Sequence, residues 1–252
     1  MALFSDRTAL VTGAGSGIGE TVAKQLAAQG ANVVVSDIDL DAAKRVASEI
    51  EQAGGKASAF KADTASKDDN KAAVDYAVET YGGLHLAVNN AGIGGKSAPV
   101  GELDLDDWDR VININLNGVL YGMHYQIPAM LEAGAQKAAI VNISSIHGSV
   151  AAPNNAAYTA AKHGVIGLTK NAAAEYGPQN LRINAVGPGY IRTPLLDKSL
   201  DEATMTALAE KHTLHRLGTA EEVSNLVIFL LSDQASFITG SYHLVDGGYT
   251  AI

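Results

Sequence analysis

The stretch Ala9–Asp37 reads ALVTGAGSGIGETVAKQLAAQGANVVVSD. It opens apolar and β-branched, gathers glycines at Gly13, Gly15, Gly17 and Gly19, continues as an alanine-rich helical pattern and closes on a second β-branched run. Glycine spacing alone does not separate a phosphate cradle from a flexible turn. The context does: the loop follows a strand pattern and opens a helix pattern, as a dinucleotide-binding turn requires. The first turn of a helix offers free N–H groups and a positive dipole end, which favour a pyrophosphate. Asp37 ends the next strand pattern, where an acid accepts the ribose hydroxyls of NAD and repels the extra phosphate of NADP. No basic residue replaces it: Ser16 precedes Gly17, and Ile38 and Asp39 follow Asp37. The reading is an NAD site.

Outward from this stretch, β-branched runs alternate with longer amphipathic segments. Strands are expected at Thr8–Thr12, Ala31–Asp37, Ala57–Asp63, Leu84–Asn90, Ala138–Ser144, Leu181–Gly187 and Ser241–Asp246. Helices are expected at Gly17–Gln29, Leu40–Ala53, Lys67–Tyr81, Asp106–Glu132, Ala157–Tyr176 and Ala220–Ser232, with Gly30, Gly54, Gly82 and Gly134 at helix ends. The alternation predicts an α/β Rossmann fold: a doubly wound, parallel, seven-stranded sheet with helices on both faces. No Pro/Ser-rich linker divides the chain, so residues 1–252 read as one domain. Residues 194–216 break the alternation. They read as a helical insertion, equally a surface helix or a lid over the carboxyl ends of the strands.

Composition narrows the function. Of 252 residues none is cysteine, which removes disulfides, thiolate catalysis and cysteine-bound metals. The formal net charge of −9 opposes a nucleic-acid partner. No apolar run has the length of a membrane span. The segment MALFSDRTALVTG lacks the pattern of a secretory signal, and a cytoplasmic protein is the plain expectation. Asp104, Asp106, Asp107 and Asp109 read as the first turns of a helix rather than as a metal site, and no metal is expected. Trp108 reads as a helix anchor.

Seven ordered motifs resemble the short-chain dehydrogenase/reductase family over nearly the whole chain. TGAGSGIG resembles its cofactor loop, NNAG at Asn89–Gly92 its fourth strand and NINLNG at Asn113–Gly118 its asparagine helix. IVNISSIHG at Ile140–Gly148, YTAAK with Tyr158 and Lys162, and NAVGPGYIRTP at Asn184–Pro194 follow, with VDGG at Val245–Gly248 as the last strand. PGYIRTPLL and the tail VDGGYTAI are also similar to the branch of bacterial secondary-alcohol dehydrogenases and cyclic-ketone reductases.

The resemblance implies a catalytic tetrad of Asn115, Ser145, Tyr158 and Lys162. Tyr158 would be the acid/base, Lys162 would bind the nicotinamide ribose and lower the tyrosine pKa, Ser145 would hold the substrate oxygen, and Asn115 would hold a relay water. It implies cofactor contacts from Gly13, Ser16, Gly17, Ile18 and Gly19, from Asp63 and Thr64 beside adenine, and from Asn90, Ala91 and Gly92 beside the ribose. Pro188, Gly189, Ile191 and Thr193 would hold the nicotinamide amide. The residues themselves add that Tyr158 and Lys162, four apart on a helix, share a face, and that a nearby cation favours a phenolate. His147, Tyr190 and Leu195 are substrate-contact candidates. His163 is expected to point away from the site, and His212 and His215 to be solvated. Asn113 and Asn117, poor helix formers, have no assigned role.

The expected function is oxidation of a neutral, largely apolar secondary alcohol, or reduction of its ketone, by a homotetramer packed through Asp106–Glu132 and Ala157–Tyr176. The rival enzymes are an NADPH-dependent 3-oxoacyl-carrier-protein reductase, which Asp37 opposes, and a sugar or polyol dehydrogenase. The rival outside catalysis is a nucleotide-sensing binding module.

Overall fold

A computed structural model describes residues 2–193, 196 and 201–251. The described elements follow the order β1 Thr8–Thr12, α1 Gly17–Ala28, β2 Asn32–Asp37, α2 Leu40–Gln52, β3 Lys56–Lys61, α3 Lys67–Tyr81 and β4 Leu86–Asn89. They continue with α4 Leu105–Ile112, α5 Gly118–Gly134, β5 Ala139–Ile143, α6 Ala156–Tyr176, β6 Arg182–Pro188, α7 Glu202–Ala209, α8 Ala220–Leu231 and β7 Tyr242–Val245. The strands form one sheet in the order β3-β2-β1-β4-β5-β6-β7. Every pairing is parallel, with Val11 opposite Val35 on one side and Val88 on the other.

Strand alternation sends neighbouring side chains to opposite faces, and both faces are covered. Ala9, Val11, Val33 and Val35 pack with Val22 and Leu26 of α1, Val46 and Ile50 of α2, and Val223, Val227 and Leu230 of α8. Leu10 and Val34 face the other way, onto Val74 of α3, Met123, Ile127 and Met130 of α5, and Val165 of α6. Helix starts are fixed by side-chain caps. Asp39 accepts from Asp41 N and Ala42 N, Ser66 from Asp69 N, and Thr219 forms a reciprocal capping box with Glu222. Asp104 caps α4 by accepting from Asp106 N and Asp107 N, so the acidic run is a helix start, as expected.

Strand order reverses at β1, whose neighbours are β2 and β4. The loops leaving β1, β4, β5 and β6 therefore open on one edge of the sheet, where parallel α/β folds take their ligands. One expected helix is corrected. Asp106–Glu132 is not continuous: α4 and α5 are joined by a π-turn at Asn113–Asn117, in which Gly118 N donates back to Asn113 O. Of the expected insertion, the helix described is α7, capped by Asp201, which accepts from Thr204 N. Leu195 lies outside the described residues.

Candidate active site

The glycine loop is held from both sides. Gly15 N donates to Asp37 Oδ2 at 2.8 Å, and Arg45 Nη2 donates to Gly15 O at 2.8 Å. Arg45 is itself engaged by Glu20 at 2.6 Å and Glu49 at 2.8 Å. Gly13 and Gly17 have positive φ, +61° and +58°. A Cβ on Gly13 would lie 2.8 Å from Ala91 Cα, and one on Gly19 would overlap Gly13 O. A Cβ on Gly17 would come within 3.4 Å of Thr193 Cγ2, so Gly17 and Thr193 form the two lips of a cradle. Ser16 starts α1 without a side-chain capping bond, which leaves its hydroxyl and the first-turn N–H groups facing that cradle uncommitted to each other. A cradle of positive-φ glycines at a helix start fits a dinucleotide pyrophosphate, with the Asp37 carboxylate at its rim.

The floor is tied to β1 by the segment after β4. Asn90 N and Ala91 N donate to Thr12 Oγ1 at 3.0 and 3.2 Å, and Asn90 Nδ2 donates to Thr12 O at 2.9 Å. Thr64 O accepts from Asn70 Nδ2, and Asp63 Oδ1 accepts from Ala65 N, setting the turn after β3. On the opposite wall, Gly189 N donates to Val245 O, and Ile191, 6% exposed, bridges to Gly218. Pro188 ends β6. Ile18 packs partly buried against the core beneath α1.

The π-turn gives the asparagines their places. Asn115 is fully buried, and its amide clamps Ile93: Oδ1 accepts from Ile93 N and Nδ2 donates to Ile93 O, both at 2.8 Å. Asn117 Nδ2 donates to Asn113 Oδ1 at 3.1 Å. The widened turn aims Asn115 across at the loop after β4, which a regular helix in that register would not do. A Cβ on Gly92 would sit 3.2 Å from Asn115 Oδ1 and 3.6 Å from Lys162 Nζ. Glycine is needed where these side chains approach the backbone.

Ser145, Tyr158 and Lys162 come together beside them. Ser145 begins the turn after β5 and accepts from His147 N at 3.2 Å. Burial pushes the Tyr158 phenol up, and the nearby Ser145 hydroxyl pulls it down. Lys162 Nζ donates to Ile143 O at 2.9 Å and lies 5.5 Å from the Tyr158 ring centroid. Its ammonium is 3% exposed as a residue, and burial pushes its pKa down to about 8. Ser144 Oγ donates to Lys162 O at 2.8 Å, fixing α6 against β5.

His147 is buried, and its ring lies 6.3 Å from that of Tyr158 and 6.0 Å from that of Tyr190. His163 is exposed, with Nδ1 against Thr159 O, so it does point away. His215 is exposed beside Glu210. The expectation for His212 is overturned: it is 2% exposed. Its Nδ1 faces Leu208 O at 2.9 Å, Nε2 accepts from Tyr190 N at 3.2 Å, and its ring packs on Tyr249 at 5.4 Å. Beyond Leu208, four residues upstream, its partners Tyr190 and Tyr249 lie far along the chain, which no local pattern discloses. Tyr242, also unforeseen, donates from its hydroxyl to Ser145 O at 2.5 Å, and a Cβ on Gly187 would overlap its ring.

Comparison with known proteins agrees with this geometry. Residues 13–250 match the family described as Enoyl-(Acyl carrier protein) reductase. The chain is 55% identical to a cyclohexanol dehydrogenase of Acinetobacter sp. (strain SE19), covering 98% of this chain and 96% of that protein. It is 43% identical to a cis-4-hydroxycyclohexanecarboxylate dehydrogenase of Sinomonas cyclohexanicum, covering 99% and 98%. Among solved structures it resembles levodione reductase with a TM-score of 0.93 and 36% identity, covering 98% of this chain and 99% of that one.

Proposed function

The chain belongs to the short-chain dehydrogenase/reductase family, and from that premise we propose that it is an NAD(H)-dependent oxidoreductase of cyclic secondary alcohols and their ketones. The observation that carries the reading is the convergence of Ser145, Tyr158 and Lys162 beside the Asn115 clamp, at the carboxyl edge of the sheet and next to the Gly17–Thr193 cradle. The named substrates of the two curated relatives, both six-membered-ring alcohols, support a cyclic substrate.

Ser145 and Tyr158 hold the alcohol oxygen between them. Tyr158 takes the hydroxyl proton as the carbon gives up its hydride, and returns a proton in the reductive direction. The Lys162 ammonium favours the phenolate electrostatically, against the burial that opposes it. A lysine shifted toward neutrality also passes a proton readily, which suits a relay toward solvent. Asn115 spends its amide on Ile93, so its part is to fix the loop and the π-turn around Lys162. NAD, when bound, supplies the hydride acceptor. Gly13, Ser16, Gly17, Ile18 and Gly19 would hold its pyrophosphate, and Asp37 its adenosine ribose. Asp63, Thr64, Asn90, Ala91 and Gly92 would line the adenosine, and Pro188, Gly189, Ile191 and Thr193 the nicotinamide.

The preference for NAD rests on Asp37, and on Arg45 being engaged by Glu20 and Glu49 beside the loop. The same charges oppose the carrier-protein-reductase alternative, which requires NADP. The exposed apolar side chains of Leu105 on α4 and Leu120 on α5 support a homotetramer packed through these helices. The absence of cysteine is in keeping with a cytoplasmic setting, and no described helix is long and apolar enough to cross a membrane.

Initial rates of cyclohexanol oxidation with each cofactor test the proposal. NAD should be favoured in kcat/KM by roughly 100-fold or more, the effect of placing a phosphate against a carboxylate. Equal efficiency with NADP, or no oxidation of any cyclic alcohol, would contradict it.

A further inference from the structure

Beyond the reacting oxygen, the site carries a second polar group that the tetrad does not use. His147 and Tyr190 meet with Nε2 and the phenol oxygen 3.4 Å apart. His147 is 6% exposed, and its Nδ1 is buried with no hydrogen bond. Burial, partly offset by the backbone of Val150 and Ala151, holds the imidazole below its ordinary pKa, which favours the neutral ring. Buried polar groups are ordinarily paired. Here the bond between Nε2 and the Tyr190 hydroxyl sits at the long limit, so that hydroxyl has hydrogen-bonding capacity left for a further partner.

The location of that capacity matters. The His147 ring packs edge-on to Tyr158, the acid/base, and its backbone N–H donates to Ser145 Oγ, which holds the substrate oxygen. Tyr190 leaves the same β6 exit that carries Gly189 and Ile191, and its ring is fixed against His212 and Tyr249 at 5.9 Å each. Tyr190 is thus a half-buried phenol in ring contact with the imidazole that also meets Tyr158. The flanking segment is otherwise mostly apolar, with Ile146, Val150, Ala151, Ala152 and Pro153.

The geometry points to a second substrate anchor: the Tyr190 hydroxyl, oriented by His147, binds an oxygen of the substrate remote from the reacting carbon. The favoured substrates are six-membered rings that carry a second hydroxyl or carbonyl across the ring. This rests on the cyclic-alcohol reading and deepens it. A neutral imidazole has two tautomers, and they give the anchor two settings. With the proton on Nε2, His147 donates to the phenol oxygen, and the Tyr190 O–H donates to a substrate carbonyl. With the proton on Nδ1, Tyr190 donates to Nε2, and its oxygen accepts from a substrate hydroxyl. One pair thereby serves both oxidation states of a second oxygen.

The test compares trans-cyclohexane-1,4-diol with trans-4-methylcyclohexanol, which replaces the remote oxygen by a methyl group, in the intact enzyme and in Tyr190→Phe, with NAD. Tyr190→Phe keeps the ring that packs on His212 and Tyr249 and removes only the hydroxyl. The readout is the ratio of the two kcat/KM values within each protein, so a general loss of activity cancels. The intact enzyme should prefer the diol, and Tyr190→Phe should lower the ratio by roughly fivefold or more, the size of one hydrogen bond. A ratio unchanged by the substitution overturns the anchor while leaving the cyclic-alcohol reading in place. Inactivity of the intact enzyme on both rings and on cyclohexanol overturns the two together.

Discussion

At Lys162 a cationic side chain is 3% exposed, with the Ile143 carbonyl as its hydrogen-bond acceptor. Among the described residues no carboxylate forms an ion pair with it, and burial alone moves its pKa from 10.5 to about 8. Function and stability conflict at this residue. The folded protein holds the lysine proton less tightly than the unfolded chain does, so the charged form destabilises the fold at neutral pH. The penalty is full below pH 8, where both states are protonated, and is relieved as pH rises through the window from about 8 to 10.5. A shift of this size corresponds to something on the order of 3 kcal/mol. Lys162→Met is therefore expected to abolish turnover and to raise the thermal midpoint at pH 7, with the stability gain shrinking toward pH 10. A midpoint that falls at pH 7 would show that the Ile143 bond outweighs the burial cost.

Between elements, the joints at which helices and strands exchange side chains do the positioning. His212 joins three of them: the exit of α7 through Leu208 O, the exit of β6 through Tyr190 N, and the tail through Tyr249. Leu214 N and Thr213 Oγ1 extend the joint to Gly247 O and Gly248 O. His212→Leu leaves the half-buried Tyr190 N–H without its acceptor, at a cost of about 1–3 kcal/mol. For a chain of this size the melting temperature should fall by several degrees, and the KM for the alcohol should rise as Tyr190 loses its position. Calorimetry showing no shift would contradict the role. This joint also marks the limit of what the chain discloses. All seven strands were legible as short runs alternating with helix patterns, with ends displaced by at most two residues, and α3 was legible to its ends, with Gly82 marking its stop. That Ser145, Tyr158, Lys162 and Asn115 come together was legible because their motifs are local. The π-turn was not, since inserting one residue into a helix leaves the flanking apolar period intact. The three asparagines of NINLN stood out as poor helix formers, but the helix was expected to run through them, and nothing local showed that Asn115 reaches Ile93. Nor were His212 and Tyr242 legible as site residues, because their partners lie far along the chain or on the backbone.

On the scale of the whole molecule, the proposed enzyme is a tetramer whose separate parts close on one proton. Light scattering should report a mass about four times the 26.0 kDa chain. A monomer at micromolar concentration would leave Leu105, at 73% exposure, and Leu120, at 44%, facing water without a partner. The sheet edge, the glycine loop, the π-turn and the tail matter to catalysis only through where they place the Tyr158 hydroxyl. Tyr158→Phe keeps the ring in its packing and removes that one atom, so it is the most direct test of the central claim. The measurement is the rate of reduced-nicotinamide formation from saturating NAD and cyclohexanol, alongside NADH binding by fluorescence in the same protein. Turnover should fall by about 10²–10⁴-fold, the usual worth of a general acid/base, while NADH affinity stays within a few-fold. A Tyr158→Phe protein that binds NADH normally and keeps more than roughly a tenth of its turnover would contradict the account.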